Sequence, residues 1–398
     1  MPPPDRHTAD PAASPRPLPV QRELFDIPDD VAYFNCASLA PTLWAAREAA
    51  AAALARRAQP WRISGADWFT EAEERRSLFA RLAGLDPEGV ALVPATSYGL
   101  AVAAANLDAG PGRRVLVLAD DYPSNRYTWQ RFAGRTGATL VTVERRDGQR
   151  WGEAVLEELD ERTAVVAVLA THWTDGGAVD LASVAARAHH AGAALVVDAS
   201  QALGALPLDL DAVRPDFLVS VGCKWLLRPF ALGYLYVAEG RRDGVPLEEN
   251  WISRLGSEDF GALVDYQDRY QPGARRFDVG QRTHFETTPM AVAALRQLLD
   301  WEVERVAATL GQVTGRIQRE VEAIGLRLTS ADRVPHMLGI ALPDGALGAV
   351  AAALAGAGVH AGVRGASLRV SPHLWTTDQD VERLVDALTK ATDGMVAS

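Results

Sequence analysis

Residues 221–237 read VGCKWLLRPFALGYLYV, an almost entirely apolar and aromatic stretch that nevertheless contains Lys224, with Arg228 four residues later. Burial in apolar surroundings disfavours the ammonium form of a lysine, so we expect the pKa of Lys224 to be lowered. A neutral amine of this kind is the group that forms Schiff bases with carbonyl compounds. The alternative, a surface lysine whose stem lies along apolar surface, fits the flanking VSVGC and WLL poorly.

Composition limits the function classes that need to be considered. The 398 residues suffice for two domains, and 40 basic against 51 acidic residues give a net charge of −11. This charge disfavours binding to nucleic acid or to an anionic membrane. The two cysteines, Cys36 and Cys223, provide neither a disulfide framework nor a zinc cluster, so no metal site is predicted. We therefore expect a cytoplasmic protein that acts on a small molecule.

The middle of the chain alternates between short apolar runs and helix-like stretches. Continuously apolar strands are buried on both faces, and strand–helix alternation indicates a parallel sheet covered by helices. We predict an α/β fold with a mostly parallel, seven-stranded type of sheet, helices on both faces, and an antiparallel strand at GYLYV, 233–237. The other predicted strands are VALVP at 90–94, RVLVL at 114–118, TLVTV at 139–143, TAVVAVLA at 163–170, ALVVD at 194–198 and DFLVSV at 216–221.

The ends of the chain have a different organisation. Residues 1–22 are rich in Pro, Ala and charge and are predicted to form a disordered tail. Residues 23–285 are predicted to form the large domain, with an N-terminal segment that can pack on the other domain. Residues 286–398 are predicted to form a smaller α/β domain that begins with one long amphipathic helix over 288–325.

Ligands of open α/β sheets bind at the carboxyl ends of the strands, so the residues that follow each strand are the candidates for a site. Thr96 and Ser97 begin a predicted helix after VALVP, where hydroxyls and free N–H groups favour a phosphate. Taken alone, Thr96 fits a simple helix cap better than a phosphate site. Tyr122 is placed to cover a planar ligand, and His172 precedes a Gly-rich turn; both are also compatible with structural roles.

A carboxylate and an amide follow the next strand. Asp198 ends ALVVD, Gln201 lies three residues later, and Lys224 follows the strand after that. This set matches the needs of pyridoxal 5′-phosphate, because a carboxylate keeps its ring nitrogen protonated and a lysine carries its aldehyde. Gln201 would then donate to the phenolic oxygen, and either Tyr122 or His172 would stack on the ring.

Seven motifs together resemble the class V aminotransferase-like enzymes of fold type I, over roughly residues 30–395. That family includes cysteine desulfurases, kynureninases, isopenicillin-N-epimerase-like proteins and carbon–sulfur lyases of ergothioneine synthesis; the lysine loop looks nearer to the lyase and epimerase branch. The motifs are ATS at 95–97, DDYPSN at 120–125, THW at 171–173, DASQ at 198–201, GCKWLLRPFALGYLYV at 222–237, RRFDVGQRTHF at 275–285 and LRVSPHLWTTDQDVERL at 368–384.

The resemblance implies a role for each matching residue. Lys224 would form the internal aldimine and move protons, with His172 and Asp198 as further catalytic residues. Arg369 would grip the substrate carboxylate, a role that suits a bidentate guanidinium, with Asn35 beside it. The residues that would bind the cofactor are Thr96, Ser97, Tyr122, His172, Asp198, Gln201, Ser220, Lys224, Arg282 and Thr283. The segment at 280–284, which contains Arg282 and Thr283, would be lent to a partner subunit, which implies a homodimer with shared sites.

Three residues depart from the family pattern. Cys223 stands where relatives often have His or Tyr, and Arg228 and Ala231 stand where glycine is common. No cysteine follows Cys223, which argues against a desulfurase with a persulfide relay.

The predicted activity is a lyase or aminotransferase reaction on an amino acid, with an epimerase as the alternative. A non-catalytic protein on a degenerate fold is a second alternative, whereas a nicotinamide oxidoreductase would need a G-x-G-x-x-G motif after an early strand, and none is present there.

Overall fold

The computed structural model describes residues 15–365 and 367–393 of the chain. The helices are α1 Trp44–Arg57, α2 Thr70–Ala83, α3 Thr96–Ala105, α4 Pro123–Thr136, α5 Trp151–Glu158, α6 Leu181–His190, α7 Leu210–Val213, α8 Thr288–Trp301, α9 Val303–Ala323, α10 Leu347–Gly356 and α11 Asp378–Thr392. The strands are β1 Ala32–Tyr33, β2 Val90–Val93, β3 Arg114–Leu118, β4 Thr139–Val143, β5 Thr163–Leu169, β6 Ala194–Asp198, β7 Phe217–Val221, β8 Gly233–Val237, β9 Arg327–Leu328, β10 Leu338–Ala341, β11 Val359–His360, β12 Gly362–Arg364 and β13 Ser367–Val370.

The main sheet has seven strands in the order β2-β8-β7-β6-β5-β3-β4. Strands β3 to β7 pair in parallel, whereas β8 is antiparallel to both of its neighbours, β2 and β7. The prediction of a mostly parallel sheet with an antiparallel strand at 233–237 is confirmed. The carboxyl ends of β2, β3, β5, β6 and β7 therefore lie along one edge, where the candidate residues of the site follow.

Apolar residues cover both faces of this sheet, as the continuous apolar runs predict. One hydrophobic cluster joins the sheet to α2, α6 and α8, and a second joins its other face to α3 and α4. Gly99 allows α3 to lie close to the sheet, since a Cβ at this position would be 2.6 Å from Val219 Cγ1. Any larger residue would push away the helix whose first turn reaches the site.

A second sheet, in the order β12-β13-β10-β9, is fully antiparallel and packs with α9, α10 and α11. Strand β1 pairs in parallel with β11, so the N-terminal segment lies on the C-terminal elements. The predicted tail lies largely outside the described residues. Within its described part, the Leu18 N–H donates to Thr309 Oγ1 at 2.7 Å and Arg22 forms an ion pair with Asp380 at 2.9 Å.

The single long helix predicted over 288–325 is wrong, because the structure has two helices, α8 and α9, that meet at Glu302. Glu302 has a φ of 62°, which interrupts the helical backbone. The bend lets α8 pack on α1 and α2 while α9 packs on α11. Because α8 joins the core of the large sheet, we propose a domain boundary within α9 instead of at residue 285.

The lysine loop contains strained backbone that yields a stability prediction. Ala231 has a φ of 62°, in the left-handed region that favours glycine, which explains why glycine is common at this position in the resembling family. We expect Ala231→Gly to raise the free energy of unfolding by about 0.5–1 kcal/mol. Chemical denaturation measures this change. Ala352→Gly, within the right-handed helix α10, is the control and should lower stability by about 1 kcal/mol; a loss of stability in both variants would contradict the interpretation.

Candidate active site

Residues from five strand ends and from the lysine loop meet in one cavity of about 450 Å³. Six of the predicted residues line it: Thr96, Ser97, Tyr122, Asp198, Gln201 and Lys224. The other lining residues are Ser38, Pro94, Ala95, Ser124, Leu169, Thr171, Trp173, Ser200, Val221, Cys223, Phe230 and Ala231. The six predicted residues, from Thr96 to Lys224, share one site because the strands that they follow are parallel and in register.

Lys224 lines the cavity and is partly buried. Its Nζ is 5.2 Å from the centroid of the Tyr122 ring. Burial lowers the pKa of Lys224, and the nearby Arg369 guanidinium lowers it further, while the Asp198 carboxylate acts in the opposite direction. The net direction is downward, so the neutral amine is favoured, as expected from the apolar run.

Asp198 is buried at the end of β6, between Leu169 on β5 and Val219 on β7. Its Oδ1 accepts a hydrogen bond from the Ser200 N–H at 2.8 Å. Burial raises the pKa of Asp198, because the hydrogen bonding of Ser200 and the Lys224 charge offset only part of the desolvation of the carboxylate. A cationic partner in the cavity would stabilise the ionised form.

The first turn of α3 forms one wall of the cavity. Thr96 is buried and Ser97 exposed, and N–H groups of a first helical turn have no partner within the helix. Thr96 Oγ1 lies 3.1 Å from Ser200 Oγ, which also accepts from the Val221 N–H at 3.2 Å. The hydroxyls and the helix N-terminus together suit a phosphate group.

Gln201 is buried and its amide has a fixed orientation. Nε2 donates to the Ala37 carbonyl at 3.0 Å, and Oε1 accepts from the Trp225 indole at 2.8 Å. These two bonds identify which end of the amide is the donor, and the second hydrogen of Nε2 remains for a ligand acceptor. Trp225, within the lysine loop, therefore serves the site by orienting Gln201.

Two aromatic side chains, Tyr122 and Trp173, also line the cavity. Tyr122 meets Trp173 edge-to-face at 5.4 Å. Asp121 holds the start of this segment, since its carboxylate accepts from the Tyr122 N–H at 2.6 Å and from Asn125 Nδ2 at 2.7 Å. Burial raises the pKa of Asp121 to about 7. The aromatic face of Tyr122 is thereby held opposite Lys224.

Arg369 and Asn35 are brought together from the two ends of the chain. Arg369 Nη2 donates to Asn35 Oδ1 at 3.3 Å, and Nη1 donates to the Trp173 carbonyl at 2.8 Å. Nε is buried without a partner among the described residues. Burial and the Arg364 charge lower the pKa of Arg369 to about 9. A carboxylate ligand would supply the missing counter-charge.

His172 does not line the cavity. Its Nε2 lies 3.0 Å from the Ala119 carbonyl, its Nδ1 lies 2.8 Å from Thr174 Oγ1, and its ring stacks on Trp151 at 4.7 Å. The carbonyl can only accept, so Nε2 carries a hydrogen. His172 thus links the segment after β5 to the segment after β3, outside the cavity. Tyr122 is the aromatic residue that faces Lys224.

Three other predicted residues, Ser220, Arg282 and Thr283, also lie outside the cavity, and Arg369 and Asn35 are not among its lining residues either. Ser220 shares a sheet face with Leu218, away from α3, and its hydroxyl has no partner among the described residues. Arg282 is fully buried and forms an ion pair with Asp278 of its own chain. Thr283 donates to the Trp68 carbonyl. None of the three reaches the cavity of its own subunit.

Ser200 and Trp173 are site residues that sequence reasoning missed, although both lie within the quoted motifs DASQ and THW. Ser200 joins Asp198, Thr96 and Val221, and a serine two residues after a strand-end aspartate is a recognisable turn signal. Phe230, 67% exposed at the mouth of the cavity, gave no comparable signal.

The two departures that flank Lys224 have different environments. Cys223 lines the cavity, but burial raises the pKa of its thiol, which keeps it protonated and poorly nucleophilic. Arg228 lies with its Cζ 4.3 Å from the centroid of the Tyr234 ring and does not line the cavity. Burial lowers the pKa of Arg228 well below its ordinary range, and its terminal nitrogens have no partner among the described residues.

The arrangement fits pyridoxal 5′-phosphate on a fold type I scaffold: a helix N-terminus with hydroxyls for phosphate, a strand-end carboxylate for the ring nitrogen, a lysine for the aldehyde and an aromatic face. The family model for class V aminotransferases matches residues 63–384, so the chain belongs to the class V aminotransferase family. It is therefore an enzyme that uses pyridoxal phosphate. Within the described residues, no helix is long and apolar enough to cross a membrane, and no cluster of potential metal ligands occurs.

Relatives with different activities match most of the chain. The uncharacterized aminotransferase YcbU of Bacillus subtilis is 26% identical over 332 residues, which cover 82% of this chain and 86% of the relative. The isopenicillin N epimerase of Streptomyces clavuligerus is 26% identical over 356 residues, which cover 80% of this chain and 84% of the epimerase. The family is thus shared, while the reaction differs between the relatives.

Solved structures confirm the fold. The apo cysteine desulfurase of Thermococcus onnurineus NA1 has a TM-score of 0.81 at 18% identity and covers 95% of this chain and 100% of its own. The cystine C-S lyase C-DES in complex with cysteine persulfide has a TM-score of 0.81 at 17% identity, and the match covers 91% of this chain and 98% of the lyase.

The environment of Lys224 yields a prediction about its titration. In cofactor-free protein we expect the pKa of Lys224 to lie below that of an ordinary lysine, and Asp198→Asn to lower it further, because the carboxylate stabilises the ammonium form. Competitive acetylation across pH with peptide mass spectrometry measures the midpoint. Asp209→Asn, at the exposed N-cap of α7, is the control and should leave it unchanged; a raised midpoint in Asp198→Asn would contradict the assignment.

Proposed function

We propose that the enzyme carries out lyase or aminotransferase chemistry on an amino acid, with Lys224 as the amine that binds the cofactor and as the base that moves the substrate proton. The observation that carries this proposal is the placement of Lys224 Nζ, the Asp198 carboxylate and the Tyr122 ring around one cavity at the N-terminus of α3. Arg369, held by Asn35, binds the substrate carboxylate.

Each lining residue has a distinct proposed role. Thr96 and Ser97 bind the phosphate with the N–H groups of α3, and Ser200 orients Thr96. Asp198 pairs with the ring nitrogen, and that pairing offsets the cost of burying its carboxylate. Gln201 donates its free amide hydrogen to the phenolic oxygen.

Pyridoxal phosphate, when bound, supplies an electron sink for the negative charge that develops at the substrate Cα. The protein residues determine where protons go. Burial lowers the pKa of Lys224, which favours the neutral amine that accepts the α-proton. Tyr122 and Trp173 cover the site and limit the access of water.

The cavity favours elimination or transamination over two-base epimerisation. The titratable residues that line it are Tyr122, Asp198, Cys223 and Lys224, and Lys224 is the single amine among them. The thiol of Cys223 is protonated, because burial raises its pKa, and Asp198 is engaged by Ser200. Proton transfer on one face of the substrate is what a lyase or an aminotransferase requires. The Cys223 thiol lacks the thiolate character that would let it act as a mobile sulfur carrier.

Product analysis of the reconstituted enzyme tests the proposal. Amino acids incubated with holoenzyme should yield an α-keto acid with ammonia if a β-substituent is eliminated, or an α-keto acid with aminated cofactor if transamination occurs. We expect Lys224→Ala to reduce kcat at least about 10³-fold, because it removes both the cofactor-binding amine and the base. Lys390→Ala, at the other lysine of the chain, is the matched control. Racemised amino acid as the sole product would favour the epimerase alternative.

We also propose a cytoplasmic homodimer with shared sites. Large apolar side chains are exposed near the cavity mouth and along the 245–266 segment, including Phe230 at 67%, Val264 at 77% and Tyr266 at 94%. A second subunit would cover this surface. Because Arg282 and Thr283 are engaged within their own chain, we propose that the exposed Gln281 and the neighbouring backbone reach the partner's phosphate site.

Sedimentation equilibrium tests the dimer. The wild type should sediment as a dimer, and the double variant Val264→Asp/Tyr266→Asp as a monomer, because two charges would be buried in the interface. Leu347→Asp, at an exposed apolar residue of α10, is the control and should remain dimeric. A fully active wild-type monomer would refute shared sites.

A further inference from the structure

A second guanidinium lies beside Arg369. Strands β12 and β13 are antiparallel, with Gly362 directly opposite Arg369 and Arg364 opposite Ser367. A Cβ placed on Gly362 would be 3.5 Å from Arg364 Nη1, 3.6 Å from Arg369 Nη2 and 3.1 Å from Asn35 Oδ1. The two arginines and the asparagine therefore converge on one small space that stays open because residue 362 has no side chain.

Neither arginine has a counter-ion within the part of the chain that the structure describes. Among the described residues, no carboxylate lies within 4.0 Å of Arg364 or Arg369. Other arginines of this acidic chain do form ion pairs, for example Arg22, Arg145, Arg282 and Arg316. Arg364 Nη1 donates only to the carbonyl of Val363, its own neighbour in the strand. Two like charges held together without a carboxylate are costly unless an anion binds there.

The Arg364 side chain also reaches the wall of the cavity. Its Cζ is 5.7 Å from the centroid of the Trp173 ring, and Trp173 meets Tyr122, which faces Lys224 Nζ. The charge of Arg364 contributes to lowering the pKa of both Lys224 and Arg369, which agrees with a position close to the reacting centre. A ligand attached at Lys224 and held by Arg369 would therefore pass near Arg364.

We propose that the substrate is an amino acid with an anionic side chain, and that Arg364 binds the side-chain anion while Arg369 binds the α-carboxylate. This inference rests on the proposed function. One α-carboxylate is satisfied by one bidentate guanidinium, so the second guanidinium is available for a second anion. A substrate with a neutral side chain would leave Arg364 without a counter-charge.

Spectral titration of holoenzyme tests the proposal without requiring turnover. The twenty standard L-amino acids and L-2-aminoadipate are added, and dissociation constants are taken from the change in the visible band. We expect the best acidic ligand to bind at least about tenfold more tightly than its neutral counterpart, such as glutamate against glutamine or aspartate against asparagine. Arg364→Gln should remove this preference, weakening acidic ligands about tenfold and neutral ligands less than about threefold.

Two further variants separate the possible outcomes. Arg364→Lys keeps the charge and should retain part of the preference, whereas Arg369→Gln should weaken acidic and neutral ligands alike. Equal weakening of both classes by Arg364→Gln, or a wild type that prefers neutral ligands, would overturn the proposal and leave the proposed function standing. A wild type whose band responds to none of the amino acids would instead overturn the proposed function.

Discussion

The structure depends on placing a lysine amine and a buried carboxylate in one cavity at the edge of the main sheet. Asp198 ends β6, and Lys224 follows the neighbouring strand β7. Burial raises the pKa of Asp198 and lowers the pKa of Lys224, so it favours the neutral form of each group. Neither group is stable there in its charged form without a partner. The parallel sheet, the close approach of α3 at Gly99 and the orientation of Gln201 by Trp225 all serve to form a cavity in which a cofactor can be that partner.

Residues that depend on strand order could be predicted from the sequence. Continuous apolar runs predicted the strands of the main sheet, and the rule that ligands bind at carboxyl ends then placed Thr96, Tyr122, Asp198 and Lys224 in one cavity. The single long helix failed because Glu302 adopts a left-handed backbone with no glycine or proline to signal it. Helical periodicity continues across this position, so only the packing of α8 and α9 on different elements explains the bend.

Side-chain direction could not be predicted in the same way. His172 follows β5 at the edge of the sheet where the cavity lies, yet its ring does not line the cavity. Contacts with Ala119, Thr174 and Trp151 hold the ring outside it. Successive side chains of a strand point to opposite faces of the sheet. The hydroxyl of Ser220 therefore lies on the face away from the cavity, whereas the next residue, Val221, lines the cavity. Ser200, by contrast, bonds to the groups around it through a local turn. Contacts between distant segments, such as Asn35 with Arg369, require the tertiary structure.

Covalent trapping tests most directly the claim that Lys224 is the reactive amine of the site. Protein purified with pyridoxal phosphate is reduced with borohydride, digested, and mapped by mass spectrometry. The chain has two lysines, Lys224 and Lys390, so the position of the label is unambiguous. The account predicts a reduced phosphopyridoxyl group on Lys224 at close to one per chain. A label on Lys390, or no label on either lysine, would contradict it.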